Sequence, residues 1–117
     1  MGKTSRDKGK RGELEWASLC REHGYDCNRT AQYRGNTGAA GDVEGLPGIH
    51  IEVKRTEALR AWDYMEQAIR DAGEAGKGQL PIVAWRKNHY PWMVLMRAED
   101  WFKLYRDWEA DNGQQDD

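Results

Sequence analysis

Two acidic residues and a lysine, placed on either side of a short turn, carry side chains that could hydrolyse a phosphodiester. In residues 49–54 apolar and polar side chains alternate, which is the pattern of a strand that buries one face. Glu52 and Lys54 therefore point to the same side, and Asp42 can reach them across the Gly- and Pro-containing turn 45–48. Mg²⁺ is usually held by one or two carboxylates, with water and substrate phosphate at its other positions. The pattern predicts a metal site with a lysine beside it.

A third acid strengthens this interpretation, because charged residues on an open strand face are often only solvated and short motifs match by chance. Apolar residues recur at helical spacing over 12–23, and Gly24 ends the predicted helix. Glu13 projects onto the apolar side of that helix, where a carboxylate needs a cation or a hydrogen-bond donor. The alternative is a partly exposed Glu that is stabilised by the positive end of the helix.

Length and composition predict a single domain over residues 1–117, because a chain of 117 residues has room for one core. The absence of a signal peptide and of a membrane-spanning apolar run predicts a cytoplasmic protein, in the host cytoplasm if it is phage-encoded, with no membrane partner. The two cysteines are then expected to be free thiols. Cys20, His23 and Cys27 lack the spacing of a closed four-ligand zinc site.

Charge is unevenly distributed along the chain. Residues 1–12 contain five bases and one acid, whereas residues 107–117 contain five acids and no base. This predicts a flexible basic arm over 1–11 that binds phosphates, or merely aids solubility, and an acidic disordered tail over 109–117. The Gly-rich polar loop 31–41 is predicted to clasp DNA, or to be a surface loop without a ligand. The residues predicted to contact DNA are Lys8, Lys10, Arg11, Arg29, Arg34, Thr37 and Arg55.

The remaining periodic segments complete an α/β fold. Strands are predicted over 25–30, 81–85 and 92–96, and helices over 58–72 and 98–108. Together with the strands on either side of the 45–48 turn, they predict a mixed central sheet of about five strands flanked by helices.

This order of elements, with acids on the first helix, second strand and third strand, resembles the restriction-endonuclease-like core of the PD-(D/E)XK nuclease superfamily. Within that superfamily the chain resembles archaeal-type Holliday junction resolvases. Residues 10–24 are similar to their opening, a basic stretch and then Glu13 at the head of an amphipathic helix, and Ile51-Glu52-Val53-Lys54 is similar to their third-strand motif. Gly41 stands where the superfamily's name has Pro. Gln67 is left out of the site, because helical spacing places it opposite the apolar stripe of its helix.

The resemblance implies a homodimeric, Mg²⁺-dependent endonuclease of DNA recombination and repair that resolves four-way junctions by paired phosphodiester hydrolysis, with Mn²⁺ able to substitute. It implies that Glu13, Asp42 and Glu52 form the metal site and that Lys54 is catalytic. The Val53 carbonyl is a further predicted metal ligand. The alternatives are a nicking, trimming or restriction-like nuclease on the same core, and a non-catalytic DNA-binding protein.

The aromatic residues suggest where two chains would meet. Six Trp and five Tyr are many for a core of this size, and subunit interfaces are enriched in both residue types. The alternative is that the rings complete the core. The interface is predicted on four tryptophans of the C-terminal half: Trp85, Trp92, Trp101 and Trp108.

Overall fold

The structure, a computed structural model, describes residues 2–31 and 40–112, with side chains from residue 7 onward. The described elements follow the order predicted from the sequence, and none of the described helices has the length and apolar composition needed to cross a membrane. The helices and strands are α1 (Gly2–Glu22), β1 (Asn28–Arg29), β2 (Val43–Glu44), β3 (Ile49–Arg55), α2 (Ala61–Ala75), β4 (Leu80–Arg86), β5 (Met93–Leu95) and α3 (Ala98–Asn112).

The five strands form one mixed sheet in the order β1-β2-β3-β4-β5. β3 and β4 are parallel, and the other neighbouring pairs are antiparallel. A parallel pair needs a crossover connection, which α2 supplies. The predicted α/β fold, with a mixed sheet of about five strands flanked by helices, is confirmed.

The two faces of β3 have different surroundings, and this difference creates the site. Ile51 and Val53 belong to the core cluster that α1 covers, together with residues of β4. Glu52 and Lys54 alternate with them and face α2, where a second buried cluster forms around Met65. The strand therefore carries its polar residues into the space beneath α2.

The basic stretch 1–11, predicted as a flexible arm, is helical where the structure describes it, since α1 begins at Gly2. Lys and Arg are good helix formers, so a run of positive charge does not by itself prevent a helix. Gly12 does not start the helix. A Cβ atom there would lie 2.5 Å from Cγ of Arg55, so glycine allows α1 to approach β3 closely.

Element ends also differ from those predicted. Residues 109–112 continue α3, so the predicted acidic disordered tail is helical there, and residues 113–117 lie outside the described part. β1 is reduced to Asn28–Arg29. α2 ends at Ala75, because Gly76 takes a left-handed conformation with φ of 65° and closes the helix.

Candidate active site

Asp42 is fixed by the backbone around it, at the point where β1, β2 and β3 meet. Its amide donates to the Ile51 carbonyl at 2.7 Å, and its own carbonyl accepts from the Thr30 amide at 2.9 Å. Its Oδ2 accepts from the Val53 amide at 2.8 Å. A Cβ atom on Gly41 would lie 2.7 Å from the Ile51 carbonyl oxygen, which explains why this position has no side chain. The Asp42 carboxylate is therefore held against β3.

Glu52 lies on the α2 side of β3, with only 2% of its surface exposed. His50 Nε2 is 2.8 Å from Glu52 Oε2, and Gln67 Nε2 donates to Oε1 at 3.4 Å. If Glu52 is ionised, the short contact requires a proton on Nε2 of His50. His50 Nδ1 is buried and has no hydrogen-bond partner in the described structure. His50 therefore orients one oxygen of the Glu52 carboxylate.

Lys54 completes the group at the carboxyl end of β3. Its Nζ donates to Gln67 Oε1 at 2.8 Å and lies 5.4 Å from the centroid of the Tyr64 ring. Lys54 also acts on Asp42 electrostatically, since its positive charge opposes the increase in the pKa of that carboxyl. An amide, an aromatic ring and a carboxylate thus surround one ammonium group.

Gln67 was excluded from the site on helical spacing, and the structure contradicts that exclusion. Trp62 has helical spacing with the apolar residues Met65 and Ala68, so the apolar pattern includes it, but Trp62 is 77% exposed. The buried residues of α2 are Tyr64, Met65, Ala68, Asp71 and Ala72, so Tyr64 and Asp71 join the buried side and Trp62 does not. Gln67 lies three residues after Tyr64 and one before Ala68, so it faces β3 and touches both Glu52 and Lys54.

Glu13 reaches the site from α1. Its Oε1 lies 2.6 Å from Arg29 Nε, so Arg29, which is also a predicted DNA contact, neutralises the third acid in this structure. Burial raises the pKa of Glu13, the nearby Asp42 charge adds to the increase, and Arg29 opposes it. The Glu13 carboxylate is therefore close enough to influence Asp42 electrostatically, and it is paired with the guanidinium group of Arg29.

The electrostatics of Asp42 favour a cation. Burial, and then the Glu52 carboxylate, raise the pKa of Asp42 to about 6, against the opposing effects of the Val53 amide and Lys54. Two carboxylates that repel each other in a buried place are a suitable donor pair for a hard divalent cation, which would relieve the repulsion.

The number of available ligands also suits Mg²⁺. Within the described ranges 2–31 and 40–112, no three His, Cys, Asp or Glu side chains are arranged to hold a metal ion. Mg²⁺ does not require such a cage, because it commonly binds through one or two carboxylates and keeps several waters. Asp42 and Glu52 fit that requirement.

Most of the residues predicted to contact DNA lie near α1. Lys8, Arg11 and Arg55 line one cleft between α1 and the end of β3. Lys10 is exposed on α1. Two residues of the predicted set lie outside the described residues: Arg34 and Thr37.

We expect Asp42→Asn to stabilise the metal-free protein at pH 8. The pKa is about 6 in the folded state against 3.8 ordinarily, so the ionised carboxylate disfavours folding above pH 6. As the pH falls from 6 towards 3.8 the folded state binds the extra proton, and the penalty fades. The full shift corresponds to at most about 3 kcal/mol. Asn keeps an acceptor oxygen for the Val53 amide.

The measurement is thermal unfolding in EDTA at pH 8 and at pH 4.5, with exposed Asp26→Asn as the matched control. The gain in Tm for Asp42→Asn should be at least halved at the lower pH, and the control should show no such dependence. An equal gain at both pH values would contradict the origin assigned to the pKa shift.

The fold places the protein in a known structural class. It is similar to the 1.6 Å structure of Hjc, a Holliday junction resolvase from the archaeal hyperthermophile Archaeoglobus fulgidus, with a TM-score of 0.57. The two chains are 22% identical, and the similarity covers 75% of this chain and 76% of that one. The restriction-endonuclease-like fold implied by the sequence resemblance is thus confirmed.

The family follows from the sequence comparison. The family model described as "Phage putative PDDEXK endonuclease" matches residues 4–115. The chain therefore belongs to this family, and the resemblance to PD-(D/E)XK nucleases is confirmed. No curated protein matches the chain. Family and fold together support a nuclease, and PD-(D/E)XK nucleases generally use divalent metal ions.

Proposed function

We propose that this protein is a Mg²⁺-dependent endonuclease that resolves four-way DNA junctions by paired phosphodiester hydrolysis, and that Mn²⁺ can replace Mg²⁺. The observation that carries the catalytic part is the convergence of Asp42, Glu52 and Lys54 at the end of β3. The structural relative supports the junction part, because it is a Holliday junction resolvase.

Each side chain has a separate task in the proposed reaction. Asp42 and Glu52 would hold the divalent cation, with the Val53 carbonyl as a further ligand and Glu13 contributing directly or through water. When bound, the cation supplies Lewis-acid stabilisation of the phosphate that is cut. Lys54 would orient the attacking water and stabilise the negative charge that develops on the phosphate.

The neighbours of these residues support the assignment. Gln67 bonds Lys54 and Glu52 together, so it holds the ammonium group beside the carboxylate before DNA arrives. His50 holds the other oxygen of Glu52. Supporting contacts of this kind fix the reacting groups in position and reduce the reorganisation that the reaction requires.

Resolution of a junction requires two symmetric cuts. The described residues of one chain form one acidic site, so we propose a two-fold dimer. α3 offers the surface for a second copy. Trp101 and Trp108 are 47% and 56% exposed. Tyr105 stacks on Trp101 at a centroid distance of 5.2 Å and lies tilted against Trp108 at 5.5 Å. Met93 and Val94 on the edge strand β5 are exposed as well. We define these five residues as the aromatic face.

The other two tryptophans predicted at the interface do not belong to this face. Trp92 is partly buried and packs on Trp16 at a centroid distance of 5.4 Å. Trp85 is also partly buried, and its Nε1 donates to the Thr56 carbonyl at 3.1 Å. The single-chain core accounts for both, whereas it does not account for Trp101 and Trp108.

The charge of α3 disfavours DNA on the aromatic face, and its aromatic composition favours a protein surface. Residues 98–112 contain five acids and two bases, so α3 is negatively charged and repels phosphates. Stacked Trp and Tyr rings with aliphatic neighbours are the composition of a subunit interface, where such rings contribute much of the binding energy.

Cleavage assays on DNA of different shapes test the proposed function. A four-way junction, a linear duplex, a flap and a single strand of matched sequence are incubated with the protein and Mg²⁺, with Mn²⁺ or with EDTA. We expect metal-dependent cleavage, fastest on the junction and with symmetric cuts on opposed strands. Equal cutting of all duplex forms would indicate a restriction-like, nicking or trimming enzyme, and binding without any product would indicate a non-catalytic DNA-binding protein.

A further inference from the structure

A basic cleft lies between α1 and the carboxyl ends of the two parallel strands, on the opposite side of β3 from Lys54. Its volume is about 300 Å³. It is organised around Glu15, whose Oε1 is 3.3 Å from Arg55 Nε and 2.8 Å from Arg86 Nη1. The residues that line it are Lys8, Arg11, Glu15, Arg55 and Asn88.

The two arginines are held in place before any ligand binds. Arg55 and Arg86 are register partners at the ends of β3 and β4, so their backbones lie side by side. Arg55 Nη2 donates to Asn88 Oδ1 at 2.9 Å, and Arg86 Nε donates to the Tyr90 carbonyl at 2.6 Å. Gly12 allows α1 to pack closely against Arg55, because a Cβ atom at position 12 would collide with the Arg55 side chain. Pre-ordered guanidinium groups lose less entropy when they bind an anion.

The cleft has more positive charge than its own acids neutralise. Four bases are grouped here, Lys8, Arg11, Arg55 and Arg86, whereas the acids are Glu15 and Glu57, which leaves a local charge of +2 on a chain whose net charge is −2. Arg55 Nη1 is buried and has no hydrogen-bond partner in the described structure. An anion is the ligand that such a site lacks.

The position of the cleft identifies the anion. Arg55 follows Lys54 along β3, so their Cα atoms are about 3.8 Å apart while their side chains face opposite sides of the sheet. Both lie at the carboxyl end of parallel strands, where α/β proteins bind ligands. A DNA strand that passes Lys54 advances about 3.4 Å per nucleotide, so its neighbouring phosphates fall within reach of the cleft.

We propose that the basic cleft binds one backbone phosphate of the DNA, within about three nucleotides of the phosphate that is cut. This inference rests on the proposed function, because it places the scissile phosphate at Lys54. The cleft fixes the register of the strand and contributes no base recognition, since its donors all bind phosphate oxygens. Arg86 and Asn88, which lie outside the set of DNA contacts predicted from the sequence, thereby join those contacts.

The test measures binding, in a Glu52→Gln background that does not cleave. A series of junctions, each with a single uncharged methylphosphonate in place of one phosphate near the cut, is titrated against this protein. Replacement at one or two adjacent positions should weaken binding about tenfold, because a charge-assisted contact is lost there. The other positions should show smaller losses.

Variants of the cleft establish which residues make that contact. Arg86→Gln and Lys8→Gln should weaken binding to unmodified DNA, lower the slope of log K against log salt by about 1 each, and remove the extra loss at the sensitive phosphate. Arg55→Gln should have the same three effects. If Arg55→Gln does not fold, Arg86→Gln and Lys8→Gln still test the proposal. Arg106→Gln on exposed α3 is the matched control and should leave the sensitive position unchanged.

Losses that are equal along the strand, or a sensitive phosphate that persists in all cleft variants, would overturn the proposal. The outcome is separate from that of the proposed function. A wild-type protein that fails to cut any DNA would refute the nuclease while the binding result could still stand, and normal cutting without a sensitive phosphate would refute the cleft alone.

Discussion

Replacing Glu52 by Gln is expected to lower the rate of DNA cleavage by at least about a thousandfold, since a metal ligand supplies several kcal/mol of transition-state stabilisation. The fold should be retained. Gln has nearly the same shape as Glu, and its amide oxygen can still accept the contact from His50 Nε2. DNA affinity without metal should be similar to that of the wild type, because the substitution removes a negative charge and no cation.

The measurement is single-turnover cleavage of a four-way junction, with calorimetric titration of Mn²⁺ as a separate readout of the metal site. Lys54→Met provides the contrast within the site, because it should reduce cleavage by about 10²–10³ while leaving the metal site intact. Glu44→Gln is the matched control, an exposed acid on β2 two residues after Asp42. Undiminished cleavage by Glu52→Gln would refute the assigned site.

The part of the site that depends on β3 could be predicted from the sequence because it is local. Alternation along 49–54 places Glu52 and Lys54 on one side, and a short turn restricts where Asp42 can lie. The structure adds the reason for that placement, which is the bond from the Val53 amide to Asp42 Oδ2. Asp42, Glu52 and Lys54 are therefore encoded close together in the sequence, within residues 42–54.

The supporting residues could not be predicted in the same way, because they depend on contacts between distant elements. The rotation of α2 decides whether Gln67 or Trp62 faces the sheet, and both solutions give an amphipathic helix. His50 offered a clearer signal, since it shares its strand face with Glu52 and Lys54. A polar residue two positions before a catalytic acid on a buried strand is thus a candidate for orienting that acid.

Ends of elements were hardest to predict where charge was used as a guide. The basic stretch 2–11 and the acidic stretch 109–112 are both helical, although charge runs were interpreted as unfolded. Lys, Arg and Glu favour helices, so a charge run distinguishes solvated from buried residues and does not distinguish helix from coil. Composition was a better guide to the aromatic rings of α3. The chain has more large rings than a core of this size buries, so some were expected at the surface, and those of α3 are exposed.

Trp101→Glu combined with Trp108→Glu is expected to convert a dimer into a monomer. Interface tryptophans near the centre of a patch each contribute about 2 kcal/mol or more, so the pair should weaken association by about a thousandfold. The substitutions also place like charges on two acidic helices that would face each other across the two-fold axis. The mass is measured by light scattering at micromolar concentration, with and without junction DNA.

The same variant separates assembly from chemistry. On a supercoiled plasmid that carries a cruciform, paired cuts within one encounter give linear product, whereas independent cuts give nicked circles first. The wild type should give mostly linear product, and the double variant should give nicked circles at a rate close to that of a single active site. Trp62→Glu is the matched control, because Trp62 is 77% exposed on α2 and lies outside the aromatic face. A wild-type mass of one chain, unchanged by junction DNA, would remove the dimer and leave an enzyme that nicks one strand at a time.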